Sequence, residues 1–350
     1  MKAWGDLPGD DRERDRKETV AELDAAGIDL DPPRPGARHD EPHGEPGHPH
    51  PHQHSGPGET PIIGIIGAGA VGTALGVALT RAGWPVHAVA SRDAGRRERF
   101  RSLVDVPRAF IDAEALVEEV ELIILAVPDD ALPRLAGSLR MYGGQAMVHT
   151  SGALGAEVLA PAMAAGTQIG SFHPLVSFAD TERAVAALHG ATIAIEADDQ
   201  LAAMLADMAE AIGATAVRLA PGAKPAYHAA AVLAAGGFVA LLDAIAELGH
   251  VAGLDEAGSL AIYGRLIEGT MGNARALGIA AALTGPVTRG DLGTLRTNLD
   301  AIGAHAPRAM DLYVAAARRE IELAETRGAV APDVAAAMRA TLDDAVARAH

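Results

Sequence analysis

The sequence contains no cysteine, and this absence removes several kinds of chemistry. Disulfide bonds, zinc–thiolate sites and thiol nucleophiles are excluded, and cysteine usage gives no indication of an oxidising compartment. Aromatic residues are also scarce, at 3% of 350 residues, whereas glycine and alanine are abundant. We therefore expect the core to pack through small and aliphatic side chains at close helix contacts.

Positive charge is in short supply as well. Twenty-nine Lys and Arg residues face 46 Asp and Glu residues, which gives a formal net charge of −17. This balance argues against nucleic acid or an anionic membrane as the main partner. The chain shows no apolar run of the roughly 18–20 residues that a membrane span needs and opens on no signal-peptide pattern. The expectation is a cytoplasmic protein that does not enter a membrane.

Residues 1–59 form a tail in which Pro, Gly and His dominate from residue 31 onward and no periodic apolar face is present. Such a segment buries too little surface to offset its ordering entropy, so the sequence predicts disorder. One stretch of it is crowded with histidines, namely His39, His43, His48, His50, His52 and His54. A nickel- or zinc-binding tract and a polar tail with adventitious metal affinity both fit this composition, and we favour the tail.

A glycine turn at residues 67–72 organises the rest of the chain. The apolar run 62–66 indicates a buried parallel strand, and a helical period begins at Val71. Between them Gly67, Gly69 and Gly72 have the G-x-G-x-x-G spacing, with Ala70 and Val71 inside the motif. Strand, glycine turn and helix are the context in which this motif binds a dinucleotide, with the pyrophosphate at the helix N-terminus.

Alternating strand and helix patterns over residues 60–220 predict an α/β fold with a doubly wound parallel sheet. After this Rossmann dinucleotide-binding domain, only helical periodicity remains, so residues 221–350 are predicted to be an all-helical domain for substrate binding and dimerisation. Predicted strands lie at 62–66, 86–90, 122–127, 146–149, 169–172, 191–195 and 214–219, and predicted helices at 225–250, 254–280, 291–325 and 331–349. In such sheets ligands lie beyond the carboxyl ends of the strands.

The end of the second predicted strand indicates which cofactor is used. NAD enzymes usually carry an acidic residue there to hold the ribose hydroxyl, whereas this chain has Ser91 and Arg92. A hydroxyl and a guanidinium suit a 2′-phosphate, which favours NADP (NADPH) over NAD. Asp93 follows and keeps the alternative open, as a ribose ligand or, more in keeping with its position, a helix cap.

Lys224 precedes a proline and is placed at the start of the first C-terminal helix. A helix N-terminus and burial in a cleft both lower a lysine pKa towards a value useful for proton transfer. Tyr227 and His228 follow about one helical turn later. Lys224, Tyr227 and His228 thus place three proton-carrying groups near one another, which favours a role in proton transfer over the alternative of a surface lysine and a structural histidine.

Further polar residues follow other predicted elements. Ser151 and His173 end two strands, and Arg289 and Asp291 lie in the loop 283–291 between helices. These four residues are our candidates for binding the substrate, since arginine suits a carboxylate. Each also has a structural interpretation, and for Asp291 this is the N-cap of the following helix. A metal site from His149 and His173 lacks supporting carboxylate spacing, so no metal is predicted.

Six motifs in order give the chain a family resemblance. They are G-A-G-A-V-G at 67–72, A-V-P-D-D at 126–130, V-H-T-S-G at 148–152, S-F-H-P-L at 171–175, K-P-A-Y-H-A-A-A at 224–231 and L-T-G-P-V-T-R-G-D at 283–291. With them the chain resembles Rossmann-like oxidoreductases whose C-terminal half is domain of unknown function 2520. That group is similar in layout to pyrroline-5-carboxylate reductase, 6-phosphogluconate dehydrogenase and ketopantoate reductase.

The resemblance implies an NADPH-dependent reductase of a small 2-oxo acid, with 2-dehydropantoate, reduced to pantoate for coenzyme A, as the first candidate. It implies that Lys224 is the general acid and that His228 assists it, where the wider layout has asparagine. The nicotinamide would lie near Val127, Pro128 and Ser151. This chain departs from the family in having Gly236 where relatives tend to have asparagine.

Two other functions remain open from the sequence. One is an imine reductase like pyrroline-5-carboxylate reductase, in which the protonated substrate makes a general acid less necessary. The other is a protein that binds NADP without turnover. The Ala- and Gly-rich faces of the helical domain, together with the related families, favour a homodimer.

Overall fold

The computed structural model describes residues 60–349 apart from Pro107, Ala179 and Asp180. The predicted tail at 1–59 and its histidines therefore lie outside the described residues. The first part of the described chain alternates strands and helices. Its strands are β1 (Ile63–Ile66), β2 (Val86–Ala90), β3 (Arg108–Phe110), β4 (Leu122–Leu125), β5 (Ala146–His149), β6 (Gln168–Pro174), β7 (Thr192–Ala197) and β8 (Thr215–Arg218). Its α-helices are α1 (Ala70–Arg81), α2 (Ala94–Val104), α3 (Ala113–Val117), α4 (Leu132–Ser138), α5 (Thr181–Leu188) and α6 (Asp199–Ala211).

These strands form one sheet in the order β3-β2-β1-β4-β5-β6-β7-β8. Strands β1 to β6 are parallel, and their carboxyl ends therefore share one edge of the sheet. The fold class predicted from the sequence is confirmed, with one difference: β7 pairs antiparallel to β6, and β8 runs parallel to β7. The apolar runs alone gave no strand direction, so the sequence did not indicate this reversal.

Both faces of the sheet are buried, which explains the almost continuous apolar composition of its strands. Ile63 and Ile65 of β1 pack on the face covered by α1, α2, α5 and α6, together with Leu75 and Phe100. The opposite face packs against α3, α4 and a 3₁₀-helical segment at Ala156–Ala165. Strand β3 was missing from the sequence prediction because it is short, lies at the sheet edge and carries no apolar run.

The second part of the chain is helical. Its elements are α7 (Lys224–Val251), α8 (Glu256–Leu277), α9 (Ile279–Ala282), α10 (Leu292–His305), α11 (Met310–Thr326) and α12 (Pro332–Ala349). Helices α10, α11 and α12 enclose a core that also contacts Ala244 and Leu248 of α7. The single helix predicted at 291–325 is divided at Ala306–Pro307, because proline cannot donate the hydrogen bond that would continue it.

Helix α7 differs from the sequence expectation in another respect. It contains a π-helical turn at Leu233–Gly237, and an 18-residue window of the helix has a mean hydropathy of 2.1. By length and composition, α7 is the one described helix that would be able to cross a membrane. The expectation that no segment reaches this length was wrong, because residues 229–242 carry no polar side chain and the helix continues past Asp243 to Val251.

Candidate active site

The glycine turn after β1 has the geometry that the motif requires. Gly67 adopts φ +109°, and a Cβ there would lie 2.1 Å from the carbonyl oxygen of Ala126. A Cβ on Gly72 would lie 2.0 Å from the carbonyl oxygen of Gly67, so the third glycine permits helix and turn to touch. No atom lies within 4 Å of the Cβ position of Gly69, which leaves the approach to the turn open.

The N-terminus of α1 lies at this opening. Gly69 is its N-cap and supplies no side-chain hydrogen bond, and Ala70 and Val71 begin the helix half-buried. The first backbone N–H groups of the helix therefore keep their capacity to donate to a ligand, and the helix dipole adds partial positive charge there. An open turn beside uncapped N–H groups fits a pyrophosphate.

The loop after β2 is held in place by an arginine that sequence reasoning missed. The Nη1 of Arg97 donates to the carbonyl oxygen of Arg92 at 2.9 Å and also to that of Ser91. Asp93 is the N-cap of α2, where it accepts from the N–H of Arg96 at 2.9 Å, as its position in the sequence suggested. The Arg92 side chain is exposed at the loop and contributes to no ion pair within the described part of the chain.

The predicted nicotinamide contacts lie at the end of the neighbouring strand. Val127 is half-buried, and its Cγ1 lies 3.2 Å from the Cβ position of Gly67. Pro128 follows as the N-cap of a 3₁₀ turn at Asp129–Ala131. Because β4 lies between β1 and β5, this turn separates the glycine loop from the segment that begins with Ser151.

Lys224 is almost completely buried, with 1% of its surface exposed. Its Nζ donates to the backbone carbonyl oxygen of Ser151 at 2.7 Å, which joins the start of α7 to the end of β5. Burial lowers the pKa of Lys224 to about 8, and the attraction of Glu196, Asp129 and Glu157 opposes this shift. Over the described residues, no carboxylate lies within ion-pair distance of the ammonium group.

The side chains of His149 and Ser151 hold the segment 149–155 in place through hydrogen bonds to its backbone. His149 is fully buried, and its Nδ1 accepts from the N–H of Ser151 at 3.2 Å while its Nε2 lies 3.1 Å from the carbonyl oxygen of Gly155. A carbonyl accepts only, so His149 is the neutral Nε2–H tautomer, and burial lowers its pKa to about 4. The Oγ of Ser151 accepts from the N–H groups of Ala153 and Leu154, so its hydroxyl hydrogen is still available to donate.

Two histidines and a tyrosine meet above this segment. The ring of His173 lies edge-on to those of Tyr227 and His228, with centroids 5.7 and 6.3 Å apart. Nδ1 of His173, the hydroxyl of Tyr227 and Nδ1 of His228 are buried and have no hydrogen-bond partner among the described residues. Burial lowers the pKa of His173 to about 4, with further contributions from Lys224 and His228. Three unpartnered polar atoms beside a buried lysine are a candidate substrate site.

Gly152 and Glu196 complete the site and were not predicted. A Cβ on Gly152 would lie 2.6 Å from Nδ1 of His228 and 2.7 Å from Nε2 of His173, so only glycine permits both rings to approach. Glu196 on β7 is 8% exposed, and its Oε2 accepts from the N–H of Ala156 at 3.2 Å. The T-S-G sequence after β5 carried a signal for Gly152, whereas Glu196 is placed only by the register of β7 against β6.

The structure brings together Ser151, His173, Lys224 and His228 from the predicted set. It does not bring Arg289 and Asp291 to them within one chain. Their loop packs against α11 and, at Gly290, against Val334 of α12. Asp291 is the N-cap of α10: it accepts from the N–H and Oγ1 of Thr294 at 3.0 and 2.7 Å, and its pKa is lowered mainly by the first of these bonds.

Two family models match this chain. Residues 56–174 match a Rossmann-like domain, and residues 191–320 match the domain of unknown function DUF2520. The second match begins at β7, so it includes the last two strands, helices α6 to α10 and part of α11. The predicted resemblance to this domain is confirmed for these residues. None of the curated proteins compared matches the sequence.

Solved structures share the fold over almost their whole length. Protein TM1727 from Thermotoga maritima is 25% identical, with a TM-score of 0.59 over 76% of this chain and 99% of that one. Protein BF3122 from Bacteroides fragilis, described provisionally as an NADP oxidoreductase, is 24% identical, with a TM-score of 0.60 over 75% and 98%. A 1-pyrroline-5-carboxylate reductase from Streptococcus pyogenes is 17% identical, with a TM-score of 0.50 over 82% and 98%. This chain thus has the fold of these proteins, a Rossmann domain followed by a helical region.

Proposed function

We propose that this protein is an NADPH-dependent reductase of a small 2-oxo acid, with 2-dehydropantoate as the first candidate substrate. The observation that carries the proposal is Lys224, a buried lysine at a helix N-terminus whose pKa is lowered to about 8. It lies beside three unpartnered polar atoms at the carboxyl edge of a sheet that also carries an open glycine turn. A proton donor next to a dinucleotide site is the arrangement that carbonyl reduction needs.

The glycine turn supports the part of the proposal that concerns NADPH binding. Gly67, Gly69 and Gly72 and the uncapped start of α1, with Ala70 and Val71, would hold the pyrophosphate. Ser91 and Arg92 would hold the 2′-phosphate, and Arg97 keeps their loop in place. The likeness to a protein described as an NADP oxidoreductase agrees with this assignment.

The proton that carbonyl reduction requires would come from Lys224. NADPH, when bound at the glycine turn, would supply a hydride to the carbonyl carbon of the substrate. The carbonyl oxygen then takes a proton from the Nζ of Lys224, and the Ser151 carbonyl oxygen holds that Nζ in place at 2.7 Å. Because the pKa of Lys224 is about 8, the donor is mostly protonated near neutral pH and gives up its proton more readily than an ordinary lysine.

The surrounding groups would orient the substrate. The Nδ1 atoms of His173 and His228 and the hydroxyl of Tyr227 have no partner among the described residues, and the Ser151 hydroxyl keeps its hydrogen. The lowered pKa of His173 keeps its ring neutral at physiological pH, so this ring provides a hydrogen bond rather than a charge. Lys224 then provides positive charge at the substrate position.

A spectrophotometric assay tests the proposal directly. Purified protein, NADPH and 2-dehydropantoate are expected to show loss of NADPH absorbance and formation of a 2-hydroxy acid, with NADH as a parallel sample. A panel of smaller and larger 2-oxo acids would then define the substrate. Tight NADPH binding without turnover on any oxo acid or imine would contradict the proposal and support a protein that only binds NADP.

A cyclic imine such as pyrroline-5-carboxylate is the second candidate substrate. The specific observation in its favour is electrostatic, since Glu196, Asp129 and Glu157 all act on the Lys224 position with negative charge. That field also favours an iminium cation. Turnover of the imine that survives removal of the Lys224 amine would favour this second candidate, because a protonated imine needs no further proton donor.

The cofactor assignment predicts the effect of a substitution at Arg92. Arg92→Ala is expected to weaken NADPH binding by about tenfold or more and to leave NADH binding unchanged, because a charge-assisted bond to the 2′-phosphate is lost. Binding is measured by isothermal titration calorimetry with both cofactors. Arg99→Ala is the matched control, since Arg99 is exposed on α2, the helix that follows the loop of Arg92. Equal losses for NADPH and NADH would show that Arg92 does not recognise the phosphate.

A further inference from the structure

Three polar side chains lie buried next to one another on one face of the sheet. His149 of β5 pairs with Ser171 of β6, and Ser171 pairs with Glu196 of β7. Residues that pair across neighbouring strands point to the same face of a sheet, so these side chains stand side by side. His149 and Ser171 are 0% exposed, and Glu196 is 8% exposed. A carboxylate is costly to bury, so we looked for the groups that Glu196 serves.

Glu196 holds one end of a peptide group whose other end is held by His149. This peptide joins Gly155 to Ala156. Its carbonyl oxygen accepts from Nε2–H of His149 at 3.1 Å, and its N–H donates to Oε2 of Glu196 at 3.2 Å. Hydrogen bonds at the two ends of one peptide polarise each other and become stronger. The peptide is therefore a hydrogen-bonded link between the histidine and the carboxylate.

The same histidine is linked to Lys224 on its other side. Its Nδ1 accepts from the N–H of Ser151 at 3.2 Å, and the carbonyl oxygen of Ser151 accepts from the Lys224 amine at 2.7 Å. Every donor in this series points away from the lysine, and the series ends on a carboxylate. We name it the Lys224–Glu196 network; its members are the Lys224 amine, the Ser151 backbone, the His149 ring, the peptide 155–156 and the Glu196 carboxylate.

The charge of Glu196 also acts on the amine. Three carboxylates attract the ammonium group of Lys224, and the effect of Glu196 is the largest, ahead of those of Asp129 and Glu157. Asp129 and Glu157 are exposed, so solvent screens their charges, whereas the buried carboxylate of Glu196 is screened much less. Glu196 is therefore the main negative charge that stabilises the protonated amine.

The other titratable groups around the amine are neutral rings or hydroxyls, namely His149 on β5, His173 on β6, and Tyr227 and His228 on α7 itself. Burial lowers the pKa values of His149 and His173 to about 4, so both rings are neutral where the Lys224 amine titrates. Burial raises the pKa of Tyr227, so its hydroxyl keeps its proton there. These groups therefore do not replace the charge of Glu196.

We propose that Glu196 is a positioning residue for proton transfer, which acts on the Lys224 amine through the Lys224–Glu196 network and through its buried negative charge. The network fixes the Ser151 carbonyl oxygen that holds the amine. The charge keeps the proton on the amine until the substrate oxygen becomes an alkoxide and takes it. The consequence for turnover rests on the proposed function, whereas the effect on the amine itself does not.

A direct titration of the amine tests the effect of the charge. The chain contains three lysines, Lys2, Lys17 and Lys224, so protein labelled with carbon-13 at lysine Cε gives few resonances. The Lys224→Met protein assigns the resonance of Lys224. This resonance is expected to titrate near pH 8 in the wild type and about half a unit or more lower in Glu196→Gln. The amide of Gln still accepts from the Ala156 N–H but carries no charge.

Two matched controls separate this effect from the general consequences of substitution. Ser171→Ala removes a buried hydroxyl that lies beside Glu196 but has no hydrogen-bond partner among the described residues. Glu210→Gln makes the same amide change at an exposed position of α6. Lys224 is expected to titrate in both proteins as in the wild type. An unchanged titration in Glu196→Gln overturns the proposal, and so does an equal shift in either control.

Turnover tests the contribution of the hydrogen bonds. Glu196→Asp keeps the charge, but its side chain is one methylene too short for the bond to Ala156. Its turnover number is expected to fall by about tenfold with an unchanged KM for NADPH, while Lys224 titrates close to the wild-type pH. Wild-type turnover in Glu196→Asp would overturn the role of the network. If the wild-type protein itself shows no turnover, the proposed function fails, and the titration of Lys224 still decides whether Glu196 acts on the amine.

Discussion

Replacement of Lys224 by alanine is expected to lower turnover of the oxo acid by roughly 10²–10⁴-fold, the usual contribution of a positioned general acid. The Lys224 amine is buried beside the substrate position and, with a pKa of about 8, is mostly protonated near neutral pH. Its loss removes the proton that the developing alkoxide needs, whereas the glycine turn on the other side of the site is untouched. The KM for NADPH is therefore expected to stay within a few-fold of the wild-type value.

The pH dependence of turnover is an independent test of Lys224 as the proton donor. Turnover of the wild-type enzyme is expected to fall as pH rises through about 8, because the donor loses its proton there. The free energy of unfolding, by contrast, is expected to rise over this pH range. Burial holds the pKa below its ordinary value of 10.5, so between about pH 8 and 10.5 the unfolded chain binds the extra proton and the free energy of unfolding rises with pH.

Lys224→Met is the matched control for folding. It keeps a long apolar side chain but removes the buried charge, whose desolvation opposes folding, so the free energy of unfolding at pH 7 is expected to be no lower than in the wild type. Its stability should also lose the rise above pH 8. Thermal unfolding over a pH series measures both effects. A Lys224→Met protein that is well folded and still reduces the oxo acid at near wild-type rate would show that another group donates the proton.

Much of this site was accessible from the sequence because it depends on local signals. The glycine spacing after an apolar run fixed the turn at 67–72, and the Lys-Pro pair at 224–225 fixed the start of α7. Ser151 and His173 were identified because polar residues that follow apolar strands lie at one edge of a parallel sheet. These predictions needed only the order of elements, and the structure brings Ser151, His173 and Lys224 together as that order implies.

The sequence did not predict features that depend on contacts between residues far apart in the chain. The contact to Lys224 comes from the backbone carbonyl of Ser151, which no side-chain pattern indicates. Glu196 is brought to the site by the register of β7 against β6, in which it pairs with Ser171, and residue periodicity gives neither strand direction nor register. The loop 283–291 carried an arginine suited to a carboxylate, yet in the structure this loop packs on α11.

The second large effect is expected for a substitution at Gly69. A side chain there would interfere with dinucleotide binding without disturbing the fold. Gly69 has φ −79° and ψ −172°, a conformation that any residue adopts, and its Cβ position is free of neighbours. Gly69→Asp is therefore expected to fold normally, and an aspartate at a helix N-cap also satisfies N–H groups of the first turn. Gly72→Ala is the contrasting variant, since its Cβ would meet the carbonyl oxygen of Gly67 at 2.0 Å and is expected to destabilise the fold.

In Gly69→Asp the new carboxylate occupies the N–H groups that would receive the pyrophosphate and repels its charge. Two like charges about 4 Å apart repel by about 4 kcal/mol at a surface-like effective dielectric, so NADPH affinity is expected to fall by at least 10²-fold. Fluorescence titration with NADPH measures the loss, and thermal unfolding without cofactor verifies the fold. Gly137→Asp adds the same charge at an equally open glycine on α4 and is expected to bind NADPH normally. Retained affinity in a folded Gly69→Asp protein would place the dinucleotide elsewhere, and the assignment of Lys224 as its neighbouring proton donor would then lose its basis.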